Sequence, residues 1–211
     1  MKELFLGVLG FQGDVEEHIA ASKLALEDLQ LRGRVRAVKK PDDLKTLDGL
    51  VIPGGESTVI GRLSTFNQTI NIIKERAKSG MPVLGTCGGL VLLATRLYDR
   101  VVGATNQPSL GLLDVVVERN SFGRQRESFE EELSIPRLGE KMFRGVFIRA
   151  PVVKEIGPSV QVLAKLNDHV VAVQQGMMIG TSFHPELTGD TRLHRYFVRM
   201  IIGGDQNPDR S

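Results

Sequence analysis

Four short, almost wholly apolar runs punctuate the first hundred residues, at 4–9, 35–38, 50–53 and 82–85, and segments of helical spacing separate them. An unbroken apolar run of this length, closing on glycine or proline, is what a strand covered on both faces requires. After the first run, Asp14 reads as an N-cap with Glu17 three residues on, and Val15, Ile19, Leu26 and Leu29 then recur on one helical face. A second helix is expected over 67–78, with Ile70, Ile73 and Ala77 inward and a stop at Gly80, and a buried third over 89–97. Strands alternating with helices specify a mostly parallel sheet with helices on both faces.

The second half changes texture. Residues 110–118, 146–149, 160–166 and 170–174 are β-like, and a turn at Asn167 and Asp168 joins the last two into a hairpin, so an antiparallel edge is expected. A terminal helix over 193–202 carries Phe197, Val198, Ile201 and Ile202; residues 203–211 are expected to fray. Without repeats or a polar linker, the expectation is one three-layer α/β domain over 1–202.

The chain of 211 residues is long enough to bury about 70% of its unfolded surface. With 27 Lys and Arg against 25 Asp and Glu, its net charge of +2 offers no footprint for nucleic acid or an anionic membrane. A single cysteine excludes an intrachain disulfide and a zinc site built on several thiolates, and suits a reducing compartment. The N-terminal apolar run is short, is broken by Gly7 and Gly10, and soon meets Asp14, Glu16 and Glu17, unlike a signal peptide. No stretch approaches the ~20 apolar residues of a membrane span. A soluble, cytoplasmic protein is expected.

The lone cysteine falls in PVLGTCGGL, at the junction of an expected strand and helix, where Gly85, Cys87 and Gly89 form a G-x-C-x-G pattern. The serine version of this pattern makes a sharp elbow that lifts a nucleophile above a sheet. Unpaired N–H groups and the positive end of a helix dipole would favour a thiolate there. A buried cysteine that merely fills space is the competing reading. In TSFHPEL, His184 and Glu186 share one side of an extended segment, so the carboxylate can hold one ring N–H while the other nitrogen serves as a base. A surface ion pair would explain the same two residues. In PGGEST, glycines followed by small polar residues suit an oxyanion or carboxylate cradle, though a tight turn capped by Ser57 fits equally. All three segments would lie at the carboxyl ends of strands, where open α/β sheets bind ligands.

In this order, PGGEST, GTCGGL and SFHPEL resemble the class I, or triad, glutamine amidotransferases, which have a flavodoxin-like fold. The likeness narrows with GVLGFQG at 7–13, LGLLDVVVERNSFGRQ at 110–125 and VFIRAP at 146–151. These are similar to the glutaminase subunit of ribose-5-phosphate-dependent pyridoxal 5′-phosphate synthase, over residues 4–200. The resemblance implies Cys87 as nucleophile, His184 as base and Glu186 as its partner. It implies glutamine binding by Gly55, Glu56, Ser57, Arg119, Ile148 and Arg149. For both arginines the alternative is a solvated charge or an ion pair with Glu127, Glu130, Glu131 and Glu132, a stretch that reads mostly as a solvated face.

The implied activity is hydrolysis of L-glutamine to L-glutamate and ammonia through a cysteinyl thioester, with the oxyanion on the N–H groups of Gly55 and Gly88. No metal or cofactor is expected. The implied partner is a (β/α)8-barrel synthase subunit on a dodecameric core, which receives the ammonia, and little activity is expected without it. Alternatives are a glutaminase subunit of another synthase, such as imidazole-glycerol phosphate synthase, or a catalytically silent regulatory subunit. Two departures stand out. Gly88 replaces a more usual alanine, which leaves the elbow looser, and the 25–40 segment is longer than in many relatives. His18, His169 and His194 match no triad position and are assigned at most structural roles.

Overall fold

The computed structural model describes residues 2–66, 68–99, 103–104, 107–119 and 128–203. The first half follows the alternation: β1 Leu4–Leu9, α1 Val15–Asp28, β2 Gly33–Val38, β3 Gly49–Ile52, α2 Ser57–Phe66, α3 Thr69–Lys78, β4 Val83–Thr86 and α4 Gly88–Leu93. Then come β5 Ala94–Asp99, β6 Gly103–Ala104, β7 Leu113–Arg119, β8 Ser128–Leu133, β9 Phe143–Ile148 and β10 Val152–Ile156. The chain continues through β11 Gln161–Leu166, β12 His169–Gln175, β13 Met178–Thr181 and α5 Arg192–Ile201.

Among the described residues the main sheet runs β2-β1-β3-β4-β13-β12-β10-β7-β5-β6, with β11 paired to β12, and β8-β9 form a separate ribbon. From β2 to β13 every pairing is parallel; β12 joins β13 antiparallel. The β11–β12 hairpin forms as expected, but β12 lies inside the sheet rather than on its rim. Successive residues on the central strands face opposite ways. Val83 joins a core with Ile60, Ile73 and Leu90 beneath α2, α3 and α4, whereas Leu84 packs with Phe183, Leu193 and Phe197 beneath α5. Each such side chain contributes about 1.5–3 kcal/mol on full burial, and the two cores hold the strand ends fixed.

Several expectations need correcting. The helix expected over 89–97 ends at Leu93, and Ala94 starts β5, pairing with Leu113 of β7. An apolar run has no period to separate buried helix from strand, and β7 supplied the ladder that decides it. The acidic 130–132 stretch is exposed, as expected, but it is strand β8, whose Glu130 and Glu132 lie 3.3 and 3.9 Å from Arg144 on β9. Arg119 pairs with Glu56 instead, and among the described residues no ion pair joins Arg149 to this stretch. Strand 146–149 begins earlier, at Phe143, and stops before Arg149, which turns out of the ladder at φ 47°. The second expected helix starts at Thr69, Asn67 lying outside the described residues. Residues 204–211, Glu127 and 120–125 also lie outside them.

Candidate active site

Strand β4 lies between β3 and β13, with Gly85 level with Ile52 on one side and Gly180 on the other. Parallel register brings the loops after the three strands to the same edge of the sheet. Those loops carry Gly54 to Ser57, Cys87 and His184. The chain turns sharply at Cys87, φ 48° and ψ −103°, and Gly88 opens α4 immediately afterwards. A non-glycine residue at positive φ costs on the order of 1–3 kcal/mol, which the surrounding bonds must offset. They do: Cys87 N–H donates to Thr181 O at 2.7 Å, and Cys87 O accepts from Val91 N–H at 3.2 Å. The sulfur, 3.7 Å from Ile148 O, borders an open cavity of about 240 Å³ rather than being sealed in the aliphatic core.

His184 is anchored through its own N–H to Val146 O at 2.8 Å, and the Cε1 edge of its ring abuts Gly54, where any Cβ would overlap that atom. Ring Nδ1 lies 2.8 Å from Glu186 Oε1, so the expected pair forms, and it is buried rather than a surface ion pair. Burial presses the imidazolium's pKa down, but Asp14, Cys87 and Glu186 together outweigh it and raise the value to about 12. Burial in turn pushes the Glu186 carboxyl above the ordinary carboxylate range, against the pull of His184.

Asp14 is the residue sequence reasoning missed. It stands at the N-cap position of α1 but makes no side-chain cap hydrogen bond; its Oδ2 instead lies 3.1 Å from Nδ1 of His184. The local signal for a cap hid a contact across the molecule. Asp14, His184 and Glu186 present one ligand atom each within 4.8 Å. Because two carboxylates already converge on one ring nitrogen, the trio reads as a shared-proton array rather than a ligand set.

The opposite wall binds charge. Arg119 donates through Nη2 to Glu56 Oε1 at 3.2 Å and through Nη1 to Gln107 Oε1 at 3.1 Å, while Ser57 Oγ donates to the same Gln107 oxygen at 3.4 Å. Ser57 therefore begins α2 and does not cap a tight turn. Gln107, in a stretch without periodicity, left no signal in the sequence. Arg149, Ile148, Gly55 and Gly88 complete the lining. Gly88 is not loose, since a Cβ there would overlap the carbonyl oxygen of Gly55. A larger groove of about 610 Å³ lies between α1 and β2, lined by Lys23, Glu27, Arg34 and Arg36, but neither Cys87 nor a histidine lines it.

A strand-end cysteine, a histidine backed by a buried glutamate and a charged wall thus meet at one cavity, and residues 8–203 match the SNO glutamine amidotransferase family. The chain belongs to that family. Among SNO-family relatives, the pyridoxal 5′-phosphate synthase subunit PdxT of Nitrosopumilus maritimus is 51% identical over 196 residues, covering 93% of this chain and 96% of that one. The protein of the same name from Geobacillus thermodenitrificans is 52% identical over 198 residues, covering 93% and 94%. A crystal structure of a glutamine amidotransferase superposes with a TM-score of 0.80 at 45% identity, covering 93% of this chain and 98% of the other. A glutamine amidotransferase from Thermotoga maritima, 13% identical, covers 94% of this chain and 83% of its own with a TM-score of 0.61, a likeness of fold. Among the described residues, no helix of this SNO-family chain is long and apolar enough to cross a membrane.

Proposed function

We propose that this chain is a glutaminase subunit that hydrolyses L-glutamine and supplies ammonia to a pyridoxal 5′-phosphate synthase. The observation that carries the reading is the convergence of Cys87 and His184, the latter held from behind by Glu186, on a cavity also lined by Arg119 and Arg149. The guanidinium groups and backbone N–H donors suit an α-carboxylate, and Glu56 suits an α-ammonium. Thiolate sulfur of Cys87 attacks the side-chain carboxamide carbon, and the new oxyanion rests on the N–H groups of Gly55 and Gly88. Imidazolium of His184 gives its proton to the departing nitrogen as the C–N bond breaks, leaving a thioester and ammonia. The now neutral ring takes a proton from water, hydroxide adds to the thioester, and glutamate leaves as the C–S bond breaks. Glu186 orients the ring throughout. Protein groups alone perform each step.

Ammonia released into water is protonated and lost as a nucleophile, so its acceptor must be docked nearby. The partner in this reading is a (β/α)8-barrel synthase subunit, in a cytoplasmic assembly on a dodecameric core. The relatives' shared name supports the synthase assignment over other acceptors. The decisive experiment treats the complex with a glutamine-derived diazoketone and analyses peptides by mass spectrometry. Labelling confined to Cys87 and prevented by glutamine is expected, together with loss of glutaminase activity in Cys87→Ala. An unlabelled Cys87 in an assembled complex would overturn the reading.

A further inference from the structure

Behind Glu186, away from the cavity, lie two fully buried histidines from the helices that cover this face of the sheet: His18 of α1 and His194 of α5. The Nε2 atom of His18 is 3.0 Å from Thr86 Oγ1 and 3.2 Å from Glu186 Oε2. Its Nδ1 is 3.1 Å from Nε2 of His194. Thr86 immediately precedes the nucleophile. Glu186 Oε2 is enclosed and has no aligned hydrogen-bond partner among the described residues, His18 Nε2 at 3.2 Å included, and His194 Nδ1 is equally enclosed with none.

These distances decide where the protons sit. Burial lowers the pKa of both rings, that of His18 well below its usual value and that of His194 to about 4, so both are neutral and each carries one N–H. If His18 carried its proton on Nδ1 and gave it to His194, the latter's proton would sit on the enclosed Nδ1 with no acceptor. The bare Nε2 lone pair of His18 would then face the Glu186 carboxylate. Reversing the arrangement removes both faults: His194 Nε2–H donates to His18 Nδ1, and His18 Nε2–H donates to Thr86 Oγ1 with its positive edge 3.2 Å from Glu186 Oε2. What remains unpaired is a lone pair on His194, which buried sites tolerate better than an orphaned N–H.

We infer that His18 is a positioning residue for the His184–Glu186 pair: held by His194 and Thr86, it keeps the positive Nε2–H edge of its ring beside Glu186 Oε2, so that the carboxylate keeps its other oxygen on His184. This inference rests on the functional reading above. It also gives the two histidines, which sequence reasoning left as structural, a chemical task.

The test has two arms. Nitrogen-15 spectra of the full-length, histidine-labelled protein at neutral pH should show His18 and His194 as neutral Nε2–H tautomers. A proton on His18 Nδ1 or a charged His18 would overturn the inference. In the synthase complex, His18→Leu should lower kcat for glutamine about 10- to 100-fold with little change in KM. His18→Gln, whose side-chain nitrogen can stand near the lost Nε2, should recover most of that rate. Equal rates in the two variants, whether high or low, would assign His18 to packing alone. Should His18→Leu fail to fold, the tautomer spectra still decide. Failure of the underlying function is seen separately, because Cys87 of the unsubstituted protein would then resist the diazoketone.

Discussion

Asp14→Asn should reduce the proton affinity of His184 while leaving the ring where it is. At the 3.1 Å separation of Asp14 Oδ2 and Nδ1, unit charges attract by about 5 kcal/mol at an effective dielectric of ~20 and by about 1.3 kcal/mol in bulk water. The Asp14 side chain is 36% exposed, so solvent screening places the interaction between these limits, at ~2–3 kcal/mol or about 2 pK units. The wild-type value of about 12 is hard to reach by titration. Cys87→Ser removes the raising effect of the sulfur and brings the ring into range. We expect the ring of Asp14→Asn in that background to titrate about 2 units below that of Cys87→Ser alone, followed by nitrogen-15 shifts of His184. A difference under ~0.5 unit, or one of opposite sign, would refute the electrostatic account of this contact.

The same contact has a consequence in acid. Its bond to His184 holds the Asp14 carboxyl below 3.8, so the stability it adds is complete above that pH and is lost as pH falls through the depressed value; urea melts of wild type and Asp14→Asn should converge there. Gly54→Ala should push the His184 ring off its seat and lower kcat by about 10²-fold, with KM for glutamine nearly unchanged in steady-state assays. Arg119→Ala should instead act mainly on KM, raising it about 10- to 100-fold through the loss of charge-assisted hydrogen bonds to an amino-acid substrate. Phe183 is completely buried against Phe143 and Phe147, and Phe183→Ala should cost about 3–5 kcal/mol in chemical denaturation.

What could be read in the residues was whatever is encoded locally. The elbow at Cys87 has a strand before it, glycines around it and a helix after it, all between Val83 and Leu93. The His184–Glu186 pair was legible as a pair, but not in its backbone: Pro185–Leu187 form a 3-10 turn rather than the extended segment expected, and that turn brings Glu186 back to the ring. β13 was not legible, because four residues including Gly180 carry no period of their own and become a strand only between β4 and β12. β10 mixes Lys154 and Glu155 into its apolar residues and owes its form to β7. Asp14 illustrates the opposite difficulty. Its neighbours give it a complete local explanation, and only the arrival of His184 from the far end of the chain gives it another. His18 was legible as a residue of the first helix but not as a neighbour of Glu186, for the same reason.

The insertion of β13 beside β4 also orders events in time. A ribosome delivers the sulfur roughly a hundred residues before the imidazole, which at ~5–20 residues per second is an interval of about 5–20 s. Throughout that interval β4 lacks one neighbour and Cys87 lacks the carbonyl of Thr181 that fixes its bend. The bend at Cys87 is therefore a property of the finished polypeptide, and prematurely terminated fragments hold the thiol without the Thr181 carbonyl or the His184 imidazole.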